Sequence, residues 1–208
     1  MQDRFRKFIT KQFGSPSGFF GKFIGNRMAK GNVYDARWTV SLLGIQPNDR
    51  ILEIGFGPGV STQMASERAS KGFIAGIDHS RTMVQSASKR NAAAIQSGLM
   101  ELKHGDVSAL PYPDESFDTA FSLHSIYFWA KPVDCLKELR RVLKPGGLLG
   151  ITIQSKDKWE PNVAPNIMTL YFGSEVASLF SEAAYRNIHV EVPPPQDNIS
   201  LECILGVK

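Results

Sequence analysis

From about residue 50 onward, short apolar runs alternate with amphipathic stretches in a regular rhythm. Arg50 to Ile54 (RILEI) is a β-rich run that ends at glycines, and Val60 to Ser70 follows as a helix. Phe73 to Asp78 (FIAGID) predicts a second strand, after which Ser80 caps a long Ala-rich helix to about Gln96. Leu99 to His104 and Phe117 to Leu123 read as the third and fourth strands. Lys131 to Leu143 is amphipathic, with Val133, Leu136, Leu139, Val142 and Leu143 on one face, and it stops at Lys144-Pro145-Gly146-Gly147. Leu148 to Ile153 is a fifth strand, Ser174 to Tyr185 a helix, and Ile188 to Val192 and Ser200 to Val207 two final strands.

Near-continuous apolar strands separated by helices imply a sheet buried on both faces. The expected architecture is a doubly wound, Rossmann-like α/β fold, a seven-stranded and mostly parallel sheet with an antiparallel last strand and helices on both faces. The last two strands have no helix between them, which is why they are expected to pair antiparallel at one edge.

A chain of 208 residues with 42% hydrophobic and 21% charged residues has the size of one compact core, and disordered, collagen-like and coiled-coil classes are excluded by composition. The net charge of +4 is unevenly spread. Residues 1–30 hold seven basic residues against one acid, whereas the remainder carries 17 basic and 19 acidic residues. The excess therefore belongs to an N-terminal arm and gives no reason to expect a nucleic-acid partner. Within that arm Phe5, Phe8, Ile9 and Phe13 share one helical face, so residues 1–48 are read as a basic, aromatic arm or helical lid, ahead of a domain spanning 49–208. A peripheral membrane or lipid contact through residues 1–24 is the rival reading of the same pattern. No run reaches the roughly 18 apolar residues of a membrane span, and basic residues interrupt any secretory signal. Cys135 and Cys203 stand 68 residues apart without a metal-binding spacing, and the expected location is cytoplasmic.

The most informative segment is Ile51-Leu52-Glu53-Ile54-Gly55-Phe56-Gly57-Pro58-Gly59-Val60, a buried strand entering a glycine-rich turn and then a helix. In an open α/β sheet the ligand crevice lies at the carboxyl end of such a strand. Val60 stands where a dinucleotide fingerprint has its third glycine, and Glu53 would bring negative charge towards a pyrophosphate. A ligand with positive charge suits Glu53 better. Asp78 ends the second strand, where an acid can accept both hydroxyls of a ribose.

These features resemble the class I S-adenosylmethionine-dependent methyltransferases. Gly76-Ile77-Asp78-His79-Ser80 with Met83, then Gly105-Asp106-Val107, Leu110 to Asp118 (LPYPDESFD) and Arg141 to Gly147 (RVLKPGG) are similar to that family's small-molecule, type 11-like branch. The resemblance covers about residues 48–153. It implies S-adenosyl-L-methionine as cofactor, with the loop Gly55, Phe56, Gly57 and Gly59 around its methionine part and Glu53 ordering that loop or the ammonium. Asp78 would hold the ribose, His79 and Met83 would flank the adenine, and Asp106 with Val107 would meet its edge. Ser122 to His124 would line the methyl side, and Tyr34 would lie against the cofactor. For Asp106, capping of its own loop is the alternative.

His124 is the candidate base for a hydroxyl acceptor, with hydrogen bonding to the backbone or cofactor as the alternative. Tyr127, Phe128 and Trp129 would form an acceptor wall or a packed lid, and Lys156 to Phe172 an acceptor-specificity insertion or a plain connection. No metal site is expected. The function implied is methyl transfer to a small-molecule hydroxyl or amine. The rivals are a phospholipid or lipid-headgroup methyltransferase, a non-catalytic cofactor-binding protein, and a dinucleotide dehydrogenase.

Overall fold

The structure, a computed structural model, describes residues 31–159, 168–194 and 200–208. The expected arm over residues 1–30, with its lid and membrane readings, lies outside the described residues, as does 160–167 of the expected specificity insertion.

Seven strands form one sheet: β1 (Arg50–Ile54), β2 (Phe73–Asp78), β3 (Met100–His104), β4 (Phe117–Leu123), β5 (Leu143–Gln154), β6 (Arg186–Glu191) and β7 (Leu201–Val207). Their order is β3-β2-β1-β4-β5-β7-β6. β1 pairs parallel with β2 and β4, while β7 runs antiparallel between β5 and β6. The seven-stranded sheet and its antiparallel last strand thus agree with the sequence pattern.

Strand alternation directs side chains to two cores. Leu52, Ile54, Ala75, Ile77, Leu149, Ile151 and Ile153 face α5 (Pro132–Val142) and α6 (Gly173–Glu182), which bring Leu136, Leu139, Val142, Val176 and Phe180. Ile51, Ile74, Phe121 and Leu205 face α1 (Val33–Leu42), α2 (Val60–Arg68) and α4 (Ala92–Gln96), with Val40, Ala65 and Ile95 against them. Residues 33–43 thus pack into the domain, through Val40 and Leu43.

Two expected boundaries shift. The helix read as continuous to Gln96 divides into α3 (Arg81–Arg90) and α4. At the break, Asn91 Nδ2 donates to the carbonyls of Ala87 and Gly59, so the side chain competes for backbone acceptors and fastens the turn to the glycine loop. β5 starts at Leu143 because Leu143 pairs with Phe117, and a register irregularity before Thr119 absorbs the Lys144–Gly147 turn. Among the described residues no helix is long and apolar enough to cross a membrane.

Candidate active site

The carboxyl ends of β1, β2 and β4 open into a cavity of about 590 Å³. β1 leaves the core at Gly55, whose backbone lies so near the chain after β4 that an added Cβ would come within 2.5 Å of Ser125 Cβ. Gly57 has φ +52° and is buried, yet an added Cβ would meet no atom within 4 Å. That open space is the cavity. Gly59 does not line it, and serves instead where α2 starts against Ala87 and Asn91. Phe56 lines the cavity and packs its ring over Gly76 of β2.

Glu53 is 1% exposed and still lines the cavity. Ser61 donates to its Oε1 at 2.5 Å and Thr62 to its Oε2 at 2.6 Å. Burial pushes its carboxyl up to about 7, the two hydroxyls pull it down, and the nearby Asp78 adds a further upward push. Asp78 accepts from Gly57 N–H through Oδ2 and from Ser80 N–H through Oδ1, each at 2.8 Å. Desolvation raises its pKa against the pull of those two bonds. Ser80 also accepts from Met83 N–H, starting α3 so that Met83 and the exposed His79 reach the cavity.

Asp106 and Val107 line the same end. Asp106 Oδ1 accepts from both the backbone and the hydroxyl of Ser108, at 2.8 and 2.6 Å, and these bonds lower its pKa. Its carboxylate therefore caps its own loop at the cavity wall, so cavity lining and loop capping coexist there.

At the other end, His124 follows β4 in the left-handed conformation, φ 56°, with its N–H donated to the Thr152 carbonyl. Its Nε2 is 2.8 Å from Asp35 Oδ2, with the two side chains 19% and 18% exposed. Nδ1 is buried and has no hydrogen-bond partner among the described residues. With the Asp35 carboxylate as acceptor, Nε2 keeps the ring hydrogen and donates it, so the lone pair of the neutral ring falls on Nδ1. Asp35 reaches this position because α1 is anchored one turn later, where Thr39 donates to Thr152 Oγ1 at 2.8 Å in the core. Asn32, just before α1, and Ala36 within it line the cavity.

Phe128 and Trp129 contribute to the wall. Tyr127 is buried behind it, with its ring 6.3 Å from that of His124 at an interplanar angle of 13° and its hydroxyl accepting from Gln154 N–H. Ser122 is fully buried behind the lining, its Oγ 2.5 Å from that of Ser125, which does line the cavity. Tyr34 is half-buried and outside the lining.

The structure thus gathers Glu53, Gly55, Phe56, Gly57, Asp78, His79, Met83, Asp106, Val107 and His124 around one cavity, while Gly59, Ser122 and Tyr34 stand behind it. Ser61, Thr62, Asp35 and Asn32 were not singled out from sequence. A signal existed for the first two, because a carboxylate on a buried strand needs donors and two hydroxyls open the next helix. Among the described residues no group of three or more His, Cys, Asp or Glu side chains is placed to hold a metal.

The family described as "Methyltransferase domain" matches residues 52–151. The chain is 31% identical over 167 residues to the uncharacterized methyltransferase YdaC of Bacillus subtilis, spanning 80% of this chain and 88% of that protein. It is 34% identical over 116 residues to the putative methyltransferase YrhH of the same organism, spanning 56% of this chain and 63% of that one. Among solved structures, a SAM-dependent methyltransferase from Aquifex aeolicus superposes with a TM-score of 0.68 at 22% identity, over 95% of this chain and 96% of that one. A possible histamine N-methyltransferase from Thermotoga maritima gives 0.67 at 24% identity over the whole of both chains. These structural likenesses show the fold, and the relationship in sequence shows the family. The chain belongs to the class I S-adenosylmethionine-dependent methyltransferases.

Proposed function

We propose that this methyltransferase binds S-adenosylmethionine along the Glu53–Asp78–Asp106 side of the cavity and methylates a hydroxyl or amine of a small molecule beside His124. The observation that carries the reading is the continuity of the cavity. Its volume of about 590 Å³ runs from three carboxylates to a histidine and an aromatic wall, within the roughly 300–1,000 Å³ usual for small-molecule sites.

The residues fit a cationic nucleoside. Gly57 leaves space where any side chain would project, and the two backbone donors orient Asp78 without exhausting its carboxylate, which has roughly four lone-pair positions. Asp78 would accept the ribose hydroxyls, His79 and Met83 would flank the base, Asp106 and Val107 would meet its edge, and Glu53 would face the methionine end. When bound, the cofactor supplies a methyl group already activated on a sulfonium. The chain has then to align an acceptor and exclude water, as buried Trp129 and half-buried Phe128 would do from one wall. For a hydroxyl acceptor, Asp35 keeps Nδ1 of His124 as the proton-accepting nitrogen, and the carboxylate stabilises the imidazolium that results. An amine acceptor that arrives unprotonated needs only alignment.

The test is to assay the purified chain with S-adenosylmethionine against a panel of phenols, alcohols and amines, following S-adenosylhomocysteine release. Turnover with a soluble member of the panel is expected. Turnover confined to phospholipid vesicles would replace the acceptor class, and cofactor binding with no turnover on any member or on vesicles would point to a non-catalytic role.

A further inference from the structure

Glu53 lies on the β1 face turned towards the start of α2, and each of its carboxylate oxygens is taken by a hydroxyl, Ser61 on one and Thr62 on the other. Around it, among the described residues, no cation is paired with it. α2 presents the two hydroxyls and carries its basic residue, Arg68, only in its last turn. β2 presents Asp78, of like charge. β4 presents Phe121 at the paired position, and Asp35 of α1 is engaged by His124 at the far end of the cavity. A buried carboxyl with two fixed donors, a second acid nearby and no paired cation among the described residues is set to be stabilised by a positive charge. The cavity that Glu53 lines gives a cation access to it.

We infer that Ser61 and Thr62 are positioning residues that hold the Glu53 carboxyl for the cationic methionine end of the cofactor, and that binding expels a proton from Glu53 into solvent. This rests on the cofactor reading given above. In the empty enzyme, burial and Asp78 favour the protonated carboxyl while the hydroxyls favour the ionised one, and the balance falls at about 7. An arriving ammonium favours the ionised form. The proton leaves Glu53 for the buffer, and no other bond is made or broken in that step. Ser61 and Thr62 donate best to an ionised carboxylate, since a protonated one turns an acceptor oxygen into a competing donor. They thereby hold the geometry that the cation meets and limit how strongly the proton competes with it.

Titration calorimetry of the full chain with S-adenosylhomocysteine, in buffers of different ionisation enthalpy at matched pH, tests this directly. The heat is expected to vary with buffer as release of about half a proton at pH 7, and the affinity to rise about tenfold between pH 6 and pH 8 and then level off. Glu53→Gln should remove both the buffer dependence and the slope. Combining Ser61→Ala with Thr62→Val should move the rise to higher pH, weakening binding at pH 7 and restoring it by about pH 8.5. A merely structural role for the hydroxyls would weaken binding equally at every pH, and that result overturns their positioning role. Wild-type binding whose heat does not depend on buffer overturns the proton release and leaves the cofactor reading intact. Failure of the folded wild type to bind at any pH overturns both. The wild-type measurement needs no variant to fold.

Discussion

Glu53 and Asp78, at the proposed cofactor end of the cavity, each accept two hydrogen bonds from partners 2 to 21 residues away, whereas His124, at the proposed acceptor end, is held on one nitrogen by a residue 89 positions away. Its other nitrogen has no partner among the described residues. The hydrogen bonds of the two carboxyls are made within β1, α2, β2 and the turns after β1 and β2, while Met83, Asp106 and Val107 complete the same end from the elements that follow. The other end exists only because α1 docks across β4 and β5 through Asp35 and Thr39. The two ends should therefore fail separately.

The largest effect is expected at Glu53. Its unfolded value of 4.5 rises to about 7 in the folded chain, so the protonated form favours folding. The contribution is fully present below pH 4.5 and is lost as pH rises through about 7, a cost of about 3 kcal/mol above that point. Glu53→Gln cannot ionise and should stabilise the empty enzyme at pH 8 by up to about 3 kcal/mol, or roughly 6–12 °C in Tm, with most of the difference gone by about pH 5. Thermal denaturation at the two pH values checks this. An equal difference at both would mean that burial of the charge is not what strains the cofactor end.

Asp78→Ala comes next. It removes the acceptor for Gly57 and Ser80 N–H and the proposed ribose contact together, so S-adenosylhomocysteine affinity should fall about 100-fold, or about 2.7 kcal/mol. Asp35→Ala, measured in the same calorimeter, should leave that affinity within about threefold while costing about 1–2 kcal/mol of stability, because Nε2 of His124 loses its partner as well. If Asp35→Ala weakened the cofactor as much as Asp78→Ala, the division between the two ends would be wrong.

The same division explains what could be seen in the sequence. The cofactor end was legible because its residues are neighbours along the chain: Glu53, the glycine loop and Asp78 belong to consecutive elements whose apolar periodicity is plain. The acceptor end was half legible. His124 could be placed by its position after a strand, but Asp35 could not, since nothing local links two residues 89 apart. Tyr34 was singled out in its place, and one helical position rotates a side chain by about 100°, which is enough to leave Tyr34 outside the lining that Asn32 and Ala36 share. Ser122 and Ser125 present a similar offset, the first buried behind the wall and the second in it. The break at Asn91 was hidden for another reason. Its Ala-rich surroundings favour helix, and only the bond from Asn91 to Gly59, 32 residues earlier, diverts it.

Thr39→Val probes the docking of α1 without touching the cavity. Its hydroxyl bond to Thr152 is fully buried, so its loss should cost about 1 kcal/mol, with Thr152 able to turn its own hydroxyl elsewhere. Chemical denaturation should show that loss, and cofactor affinity should stay unchanged if the cofactor end is self-supporting.

The smallest effect separates docking from recognition. Asn32 precedes α1 and lines the cavity, but its side chain makes no capping hydrogen bond, and its carbonyl already accepts from Ala36 N–H. Asn32→Ala removes no side-chain hydrogen bond seen among the described residues. It should shift stability by less than about 0.5 kcal/mol, under about 2 °C in Tm, and leave S-adenosylhomocysteine affinity unchanged. Any consequence must then appear in the KM for the acceptor, because Asn32 lines the cavity at the start of α1. A variant with wild-type stability, cofactor affinity and acceptor KM would show that α1 contributes to this end only the orientation of His124.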